Sequence, residues 1–183
     1  LDCSSSQLSS WGQVEKFSSL SKLERLSLDD NPISSISESS RKEIYFPSLL
    51  SLQIAGTAVD SWIEVETIIN ILLPTIKSLR LKNTPLTSSM GQGETRFLAI
   101  ARLKGLDYFN ASAISNHERQ EAERRYVSFV TNLLSKVEGD SKEFFLLEHP
   151  QYPRLLEKHK NLIITKSSQT NGAGTNLAAS VCN

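Results

Sequence analysis

From Leu23 the chain reads Leu23-Glu24-Arg25-Leu26-Ser27-Leu28-Asp29-Asp30-Asn31-Pro32-Ile33, the pattern LxxLxLxxNxL without a gap. The same template catches Leu49, Leu52, Ile54, Thr57 and Val59, then Ile76, Leu79, Leu81, Thr84 and Leu86. It catches Leu103 and Leu106 more loosely, and Leu1, Cys3, Ser6 and Leu8 upstream. With the template's second leucine as reference, the positions are Leu1, Leu26, Leu52, Leu79 and Leu106, spaced 25, 26, 27 and 27 residues apart. Each period predicts one short strand with its alternate aliphatic side chains inward, then a turn, then an outer helix or irregular segment. No unit buries its apolar face alone, so neighbours must stack. The expected fold class is therefore α/β: a right-handed leucine-rich-repeat solenoid with parallel strands on the concave face, closed by a C-terminal helical cap.

The Asn31 position calls for a side chain that hydrogen-bonds neighbouring backbone along the stack; Ser6, Thr57 and Thr84 offer a hydroxyl there instead. The outer segments repeat as well. Ser10-Trp11-Gly12-Gln13-Val14 and Ser61-Trp62-Ile63-Glu64-Val65 each read as a capping box opening a helix. Trp62, Val65, Ile69 and Leu72 then share one helical face up to Pro74, and Trp11, Val14 and Phe17 do likewise. Both tryptophans are expected to be outer-layer core rather than exposed binding anchors. Gly91-Gln92-Gly93 is expected to be an irregular loop inserted into the fourth repeat.

After Phe109-Asn110 the character changes. Ser115 and Glu118 form another capping box, and Ala122, Tyr126, Phe129, Val130, Leu133 and Val137 keep helical spacing, predicting a cap helix to about Lys136. Glu118, Glu121 and Glu123 suit its positive end, and Glu121 with Arg125 makes a favourable i,i+4 pair. The expected organisation is repeats over 1–110, the cap helix over 111–137, a packed helical extension over 138–166 and a flexible linker over 167–183, where composition collapses to small polar residues. An opening at the template's second leucine, without Met, predicts that the chain is cut from a longer one.

Composition narrows the function classes. Twenty Lys and Arg balance 20 Asp and Glu, which excludes a basic nucleic-acid tail or an acidic solvating one. Cys3 and Cys182 lie at opposite ends, so there is no disulfide framework and a reducing cytosol is expected. The apolar run Ile68–Leu73 falls far short of the ~20 residues of a membrane span. His117, His149 and His159 lack metal-site spacing, Gly91-Gln92-Gly93 fits no phosphate loop, and no GxSxG occurs. The expectation is a non-enzyme without metal or cofactor. What is left is a surface. Residues flanking the inward leucines, namely Asp2, Arg25, Ser27, Asp29, Asp30, Ser51, Gln53, Ser78, Arg80 and Lys82, should line one continuous face, acidic early and basic late. It reads either as an ordinary solvated sheet face or as a dipolar recognition surface for a protein.

Three further segments are specific. Arg96-Phe97-Leu98-Ala99-Ile100-Ala101-Arg102-Leu103, then Glu118-Arg119 with Ala122, Glu123 and Tyr126, then His149-Pro150-Gln151-Tyr152 followed by Leu155 and Lys158, occur in that order. With the Ser-Ser-Trp-x-x-Val-like outer segments and Phe46-Pro47-Ser48-Leu49, they resemble the leucine-rich-repeat region of the tubulin-specific chaperone E (tubulin-folding cofactor E) family over about residues 1–160, with the cofactor E-like proteins close behind. The resemblance implies an N-terminal CAP-Gly domain and a C-terminal ubiquitin-like domain flanking this region. It implies α-tubulin as partner, together with cofactors D and C and a small Arf-like GTPase, in post-chaperonin assembly and disassembly of the αβ-tubulin dimer. It also implies a cytoplasmic, cytoskeleton-associated place; the balanced charge and the short apolar run speak against a nucleic-acid or membrane partner. No CAP-Gly glycine signature occurs in the chain, which leaves the repeat face as the expected contact. The rival is a leucine-rich-repeat regulatory or scaffold subunit unrelated to tubulin, against which the 25–27-residue spacing speaks.

Overall fold

The aliphatic triplets form short parallel strands in the computed structural model, which describes residues 1–34 and 46–160. Strands β1 (Arg25–Ser27), β2 (Ser51–Gln53), β3 (Ser78–Arg80) and β4 (Tyr108–Phe109) lie side by side in chain order, with Leu26 opposite Leu52, Leu52 opposite Leu79 and Leu79 opposite Phe109. All four of these residues are buried. Upstream, Asp2 bridges to Ser27 in parallel, so the first template copy also takes its place beside β1.

The backbone repeats with the sequence. Ser5, Asp30, Gly56 and Asn83, each four residues past its reference leucine, all have φ between 55° and 66°. Asp, Asn and Gly are the residues that adopt this left-handed conformation most readily. At Gly56 a Cβ would lie 2.1 Å from Asp30 Oδ1, so space as well as φ requires glycine. Asn31 ties two copies together: its Oδ1 accepts from Ser6 N and Leu8 N (3.0 and 2.9 Å), and its Nδ2 donates to Cys3 O and Leu28 O (2.8 and 2.9 Å). Thr57 keeps only the local bond, donating to Ile54 O at 2.8 Å. Thr84 instead caps a helix, accepting from Thr87 N at 3.3 Å.

The outer layer begins with α1 (Trp11–Glu15), where Gln13 Oε1 accepts from Ser9 N and Ser10 N. Helix α2 (Trp62–Glu66) widens into a π-helical turn over Thr67–Leu72, which brings Ile68 into the core beside Val65, Ile69 and Leu72 and leaves Trp62 half-buried. Ser61 makes no side-chain cap bond, so the capping box read there does not form. Asn70, the polar break in the apolar run, receives Lys104 N at 2.8 Å and donates to Arg102 O at 2.9 Å, fixing the end of the next outer helix.

The fourth repeat departs from expectation. The glycine pair is no irregular loop: Gly91 is the N-cap of α4 (Gln92–Arg102), which follows the short α3 (Pro85–Ser88). This outer segment is longer, so Phe109 rather than Leu106 occupies the reference place, 30 residues beyond Leu79. The sheet then ends in a hairpin. Asn110 and Ala111, with φ of 50° and 65°, turn the chain into β5 (Ser112–Ala113), antiparallel to β4. A two-residue loop with both φ positive matches the twist of the strands it joins.

Helix α5 (Asn116–Leu134) packs on α4, and α6 (Ser141–Leu147) and α7 (152–160) follow. Phe97, Ile100, Tyr126, Val127, Val130 and Leu155 form a second core between α4, α5 and α7. Ser115 Oγ accepts from Glu118 N at 3.1 Å, but the Glu118 carboxylate turns to Arg96 instead of closing the box. Glu121 pairs with Arg124, not Arg125, whose guanidinium lies 4.0 Å from the Phe97 ring centroid. The expected linker over 167–183 and the last six residues of the extension lie outside the described residues.

Candidate protein interface

Strand register sets the outward face of the sheet. Flanking residues of each strand point away from the buried leucine between them, so they form rows across the sheet. One row is Arg25, Ser51, Ser78 and Tyr108; the next is Ser27, Gln53 and Arg80, with Asp2 beside Ser27. At about 4.8 Å per strand, Arg25 and Tyr108 stand roughly 14 Å apart. Lys82, beyond β3, is exposed, as is Asp30, whose place in the turn past β1 sets it off the rows.

Tyr108 is the residue that the sequence pattern missed. It is 49% exposed, a large aromatic on an otherwise polar face. With Leu106 taken as reference, the flanking positions would be Gly105 and Asp107; the three-residue shift in register puts Tyr108 in line with Arg25 instead.

The polarity along the face is softer than its charges imply. Asp29 is buried, accepts Ala55 N at 2.8 Å and lies 3.5 Å from Arg80 Nη1, which also donates to Gln53 Oε1 at 3.4 Å. Asp29 therefore ties neighbouring strands together and neutralises Arg80, rather than presenting a free charge. At the other end, Ser4 donates to Asp2 Oδ1 from its hydroxyl (2.6 Å) and its amide (2.9 Å), and these bonds hold the Asp2 carboxyl below the ordinary range. Lys82 and Arg25 are the cations without an ion-pair partner among the described residues of the face.

The specific segments near the chain's end meet one another elsewhere. Arg96 makes a two-point contact with Glu118 (2.6 and 2.9 Å) and donates to Phe109 O and Ala113 O. Arg119 donates to Ile100 O and Leu106 O. Arg102 pairs with Glu66 in the interior, donates to Glu148 O at 2.6 Å, and sits 5.8 Å from the ring centroids of both Trp62 and Tyr126. Tyr126 Oη and His149 Nδ1 lie 3.0 Å apart; burial raises the tyrosine's pKa and lowers that of the histidine to about 4. Glu123, buried, receives Lys158 and His159, each at 2.7 Å. Its desolvation is outweighed by these bonds, and its carboxyl falls below the usual range. His117, the remaining histidine, is exposed at the start of α5. Among the described residues no group of three or more His, Cys, Asp or Glu is placed to hold a metal, and no helix is long and apolar enough to cross a membrane.

A parallel sheet of leucine-spaced strands with outer helices and a helical C-terminal end defines the class, mixed α/β and consistent with leucine-rich repeats. One chain of the crystal structure of the Drosophila melanogaster SNF/U2A' complex shares this fold with a TM-score of 0.51, 19% identity and 64% of each chain covered. No family model matches the chain. Among curated proteins it is 31% identical to tubulin-folding cofactor E of Arabidopsis thaliana over 179 residues, 94% of this chain and 32% of that protein. It is 32% identical to tubulin-specific chaperone E of Homo sapiens over 173 residues, 87% of this chain and 32% of that one. The Homo sapiens cofactor E-like protein matches at 25% over 135 residues, 73% of this chain and 31% of that protein. The chain thus resembles the tubulin-specific chaperone E proteins along most of its length, and spans about a third of theirs.

Proposed function

We propose that this chain is the repeat segment of a tubulin-folding cofactor, a right-handed solenoid whose concave sheet face holds α-tubulin while its heterodimer is assembled or taken apart. It acts without a reaction or a bound cofactor of its own, by binding one state of its partner more tightly than another. Cofactors D and C and a small Arf-like GTPase are its further partners, and the cytoplasm beside the cytoskeleton is its place. The observation that carries this reading is the pair of aligned rows on a sheet, with Tyr108 as a half-exposed aromatic anchor among Arg25, Ser51 and Ser78. Tyrosine and arginine are the residue types that most often dominate binding energy at protein interfaces. The relatives' names supply the partner class.

The test is binding of purified αβ-tubulin to residues 1–183. Tyr108→Ala, and separately Arg25→Glu with Lys82→Glu, are expected to weaken it by about tenfold or more with melting unchanged. Equal affinity in all three proteins removes this face from the reading. Absence of binding at micromolar tubulin removes the partner.

A further inference from the structure

On the helical side, away from the sheet face, α2, α3, α4, α5 and α6 enclose an open groove of about 540 Å³. Trp62, Leu86, Met90, Phe129 and Phe145 make it apolar. The Trp62 Nε1–H is buried against water and has no hydrogen-bond partner among the described residues. An indole N–H left unpaired in the interior is costly, and a carbonyl oxygen from outside satisfies it once the side chains that shield it part.

The groove also has a sign. Asp60, Glu94 and Glu148 stand exposed around it, and none has an ion-pair partner among the described residues. Arg102 is the one cation lining it, and that charge is already spent on Glu66. An apolar channel with three free carboxylates and a waiting donor selects its occupant by chemistry. We propose that this groove binds a short basic segment of a partner protein, one that seats a large aliphatic or aromatic side chain on Phe129 and Phe145, offers a main-chain carbonyl to Trp62, and sets lysines or arginines against Asp60, Glu94 and Glu148. This second contact does not depend on the tubulin reading of the sheet face.

The probe is a short peptide of alternating leucines and lysines, whose main-chain carbonyls stay free when it is extended, titrated into the full isotope-labelled chain; a control peptide has glutamate in place of every lysine. The two tryptophans give two indole N–H resonances. Trp11 Nε1 already donates to Ser34 O at 3.3 Å, so its signal should stay put while that of Trp62 moves downfield. The glutamate peptide should bind at least about tenfold more weakly. The triple variant Asp60→Asn, Glu94→Gln, Glu148→Gln, altered only at exposed side chains, should lose about tenfold for the lysine peptide and most of its salt dependence. Equal binding of the two peptides, an unaffected triple variant, or binding that leaves Trp62 unmoved overturns the proposal. So does a Trp62 proton already hydrogen-bonded in the free chain.

Discussion

Arg102→Met tests how the cap is held to the repeats. Arg102 and Glu66 are 3% exposed each, and the substitution leaves Glu66 with Gln151 Nε2, at 3.4 Å, as its hydrogen-bond partner. Breaking a buried ion pair from one side costs about 3–5 kcal/mol, and losing the bond to Glu148 O adds about 1 kcal/mol. That is a large share of the roughly 5–15 kcal/mol that stabilises a domain, and it should lower the melting temperature by on the order of 10 °C. The pH dependence is diagnostic. Burial already pushes the Glu66 carboxyl above its ordinary 4.5, and the Arg102 guanidinium is the chief group opposing that push. Without the arginine the folded pKa rises further, so the folded state binds more protons than the unfolded one. Stability then falls as pH climbs from 4.5 through the raised folded value, and the variant's deficit should shrink on acidification. Urea unfolding of both proteins at several pH values measures this, and Glu66→Met with Arg102→Met should recover most of the loss. A single-variant deficit below about 1 kcal/mol, or one that grows on acidification, refutes the reasoning.

Asn31→Ala removes a side chain that serves backbone groups of two repeats and should cost about 3 kcal/mol, whereas Thr57→Ala, with one local bond at stake, should cost about 1 kcal/mol. Hydrogen exchange at the Leu8 amide should accelerate in the first and not in the second. Gly56→Ala should destabilise by about 1–3 kcal/mol, because it combines a left-handed φ with a methyl driven into Asp30, while alanine at the open, ordinary-φ Gly93 inside α4 should stabilise by up to about 1 kcal/mol; thermal melts distinguish them. His149, depressed to about 4 against 6.5 in the unfolded chain, contributes stability that is complete above 6.5 and lost as pH falls toward 4, on the order of 3 kcal/mol; His149→Phe should flatten stability over that window.

Sequence and structure agree where one interaction repeats and part where an element ends a series. The leucine period fixes the strands because each inward aliphatic residue needs a neighbour of the same kind, and Leu26, Leu52 and Leu79 meet as that requires. It misleads at Leu106, since the template has no means of registering that α4 is a longer outer segment; only the pairing of Leu79 with Phe109 reveals the shift. Glu66 and Glu64 sit in a helix whose apolar neighbours read as one buried stripe, yet both glutamates are buried too. A pattern of apolar spacing does not announce a carboxylate whose partner, Arg102, lies 36 residues away. Asn70, in contrast, interrupts the apolar run in plain sight, and its bonds with Lys104 and Arg102 are what such an interruption signals.

The three segments near the chain's end that carry much of the resemblance to cofactor E are segments of closure. Arg96 meets Glu118, Arg119 meets the carbonyls of Ile100 and Leu106, Glu123 meets Lys158 and His159, Tyr126 meets His149, and Tyr152 meets Thr131. Their partners lie in the cap or between the cap and the last repeats, where a parallel stack would otherwise expose its final edge. Side chains engaged in this way have little left for a partner protein, so similarity in these segments bears on how the stack ends more directly than on what it binds. On the proposed reading of the sheet face, specificity rests on rows these segments do not include, Arg25 through Tyr108 above all. Exchanging the Arg25, Ser51, Ser78 and Tyr108 row for that of a cofactor E-like protein should accordingly change tubulin affinity while leaving the unfolding midpoint in place, whereas exchanging Arg96 or Arg119 should lower the midpoint first.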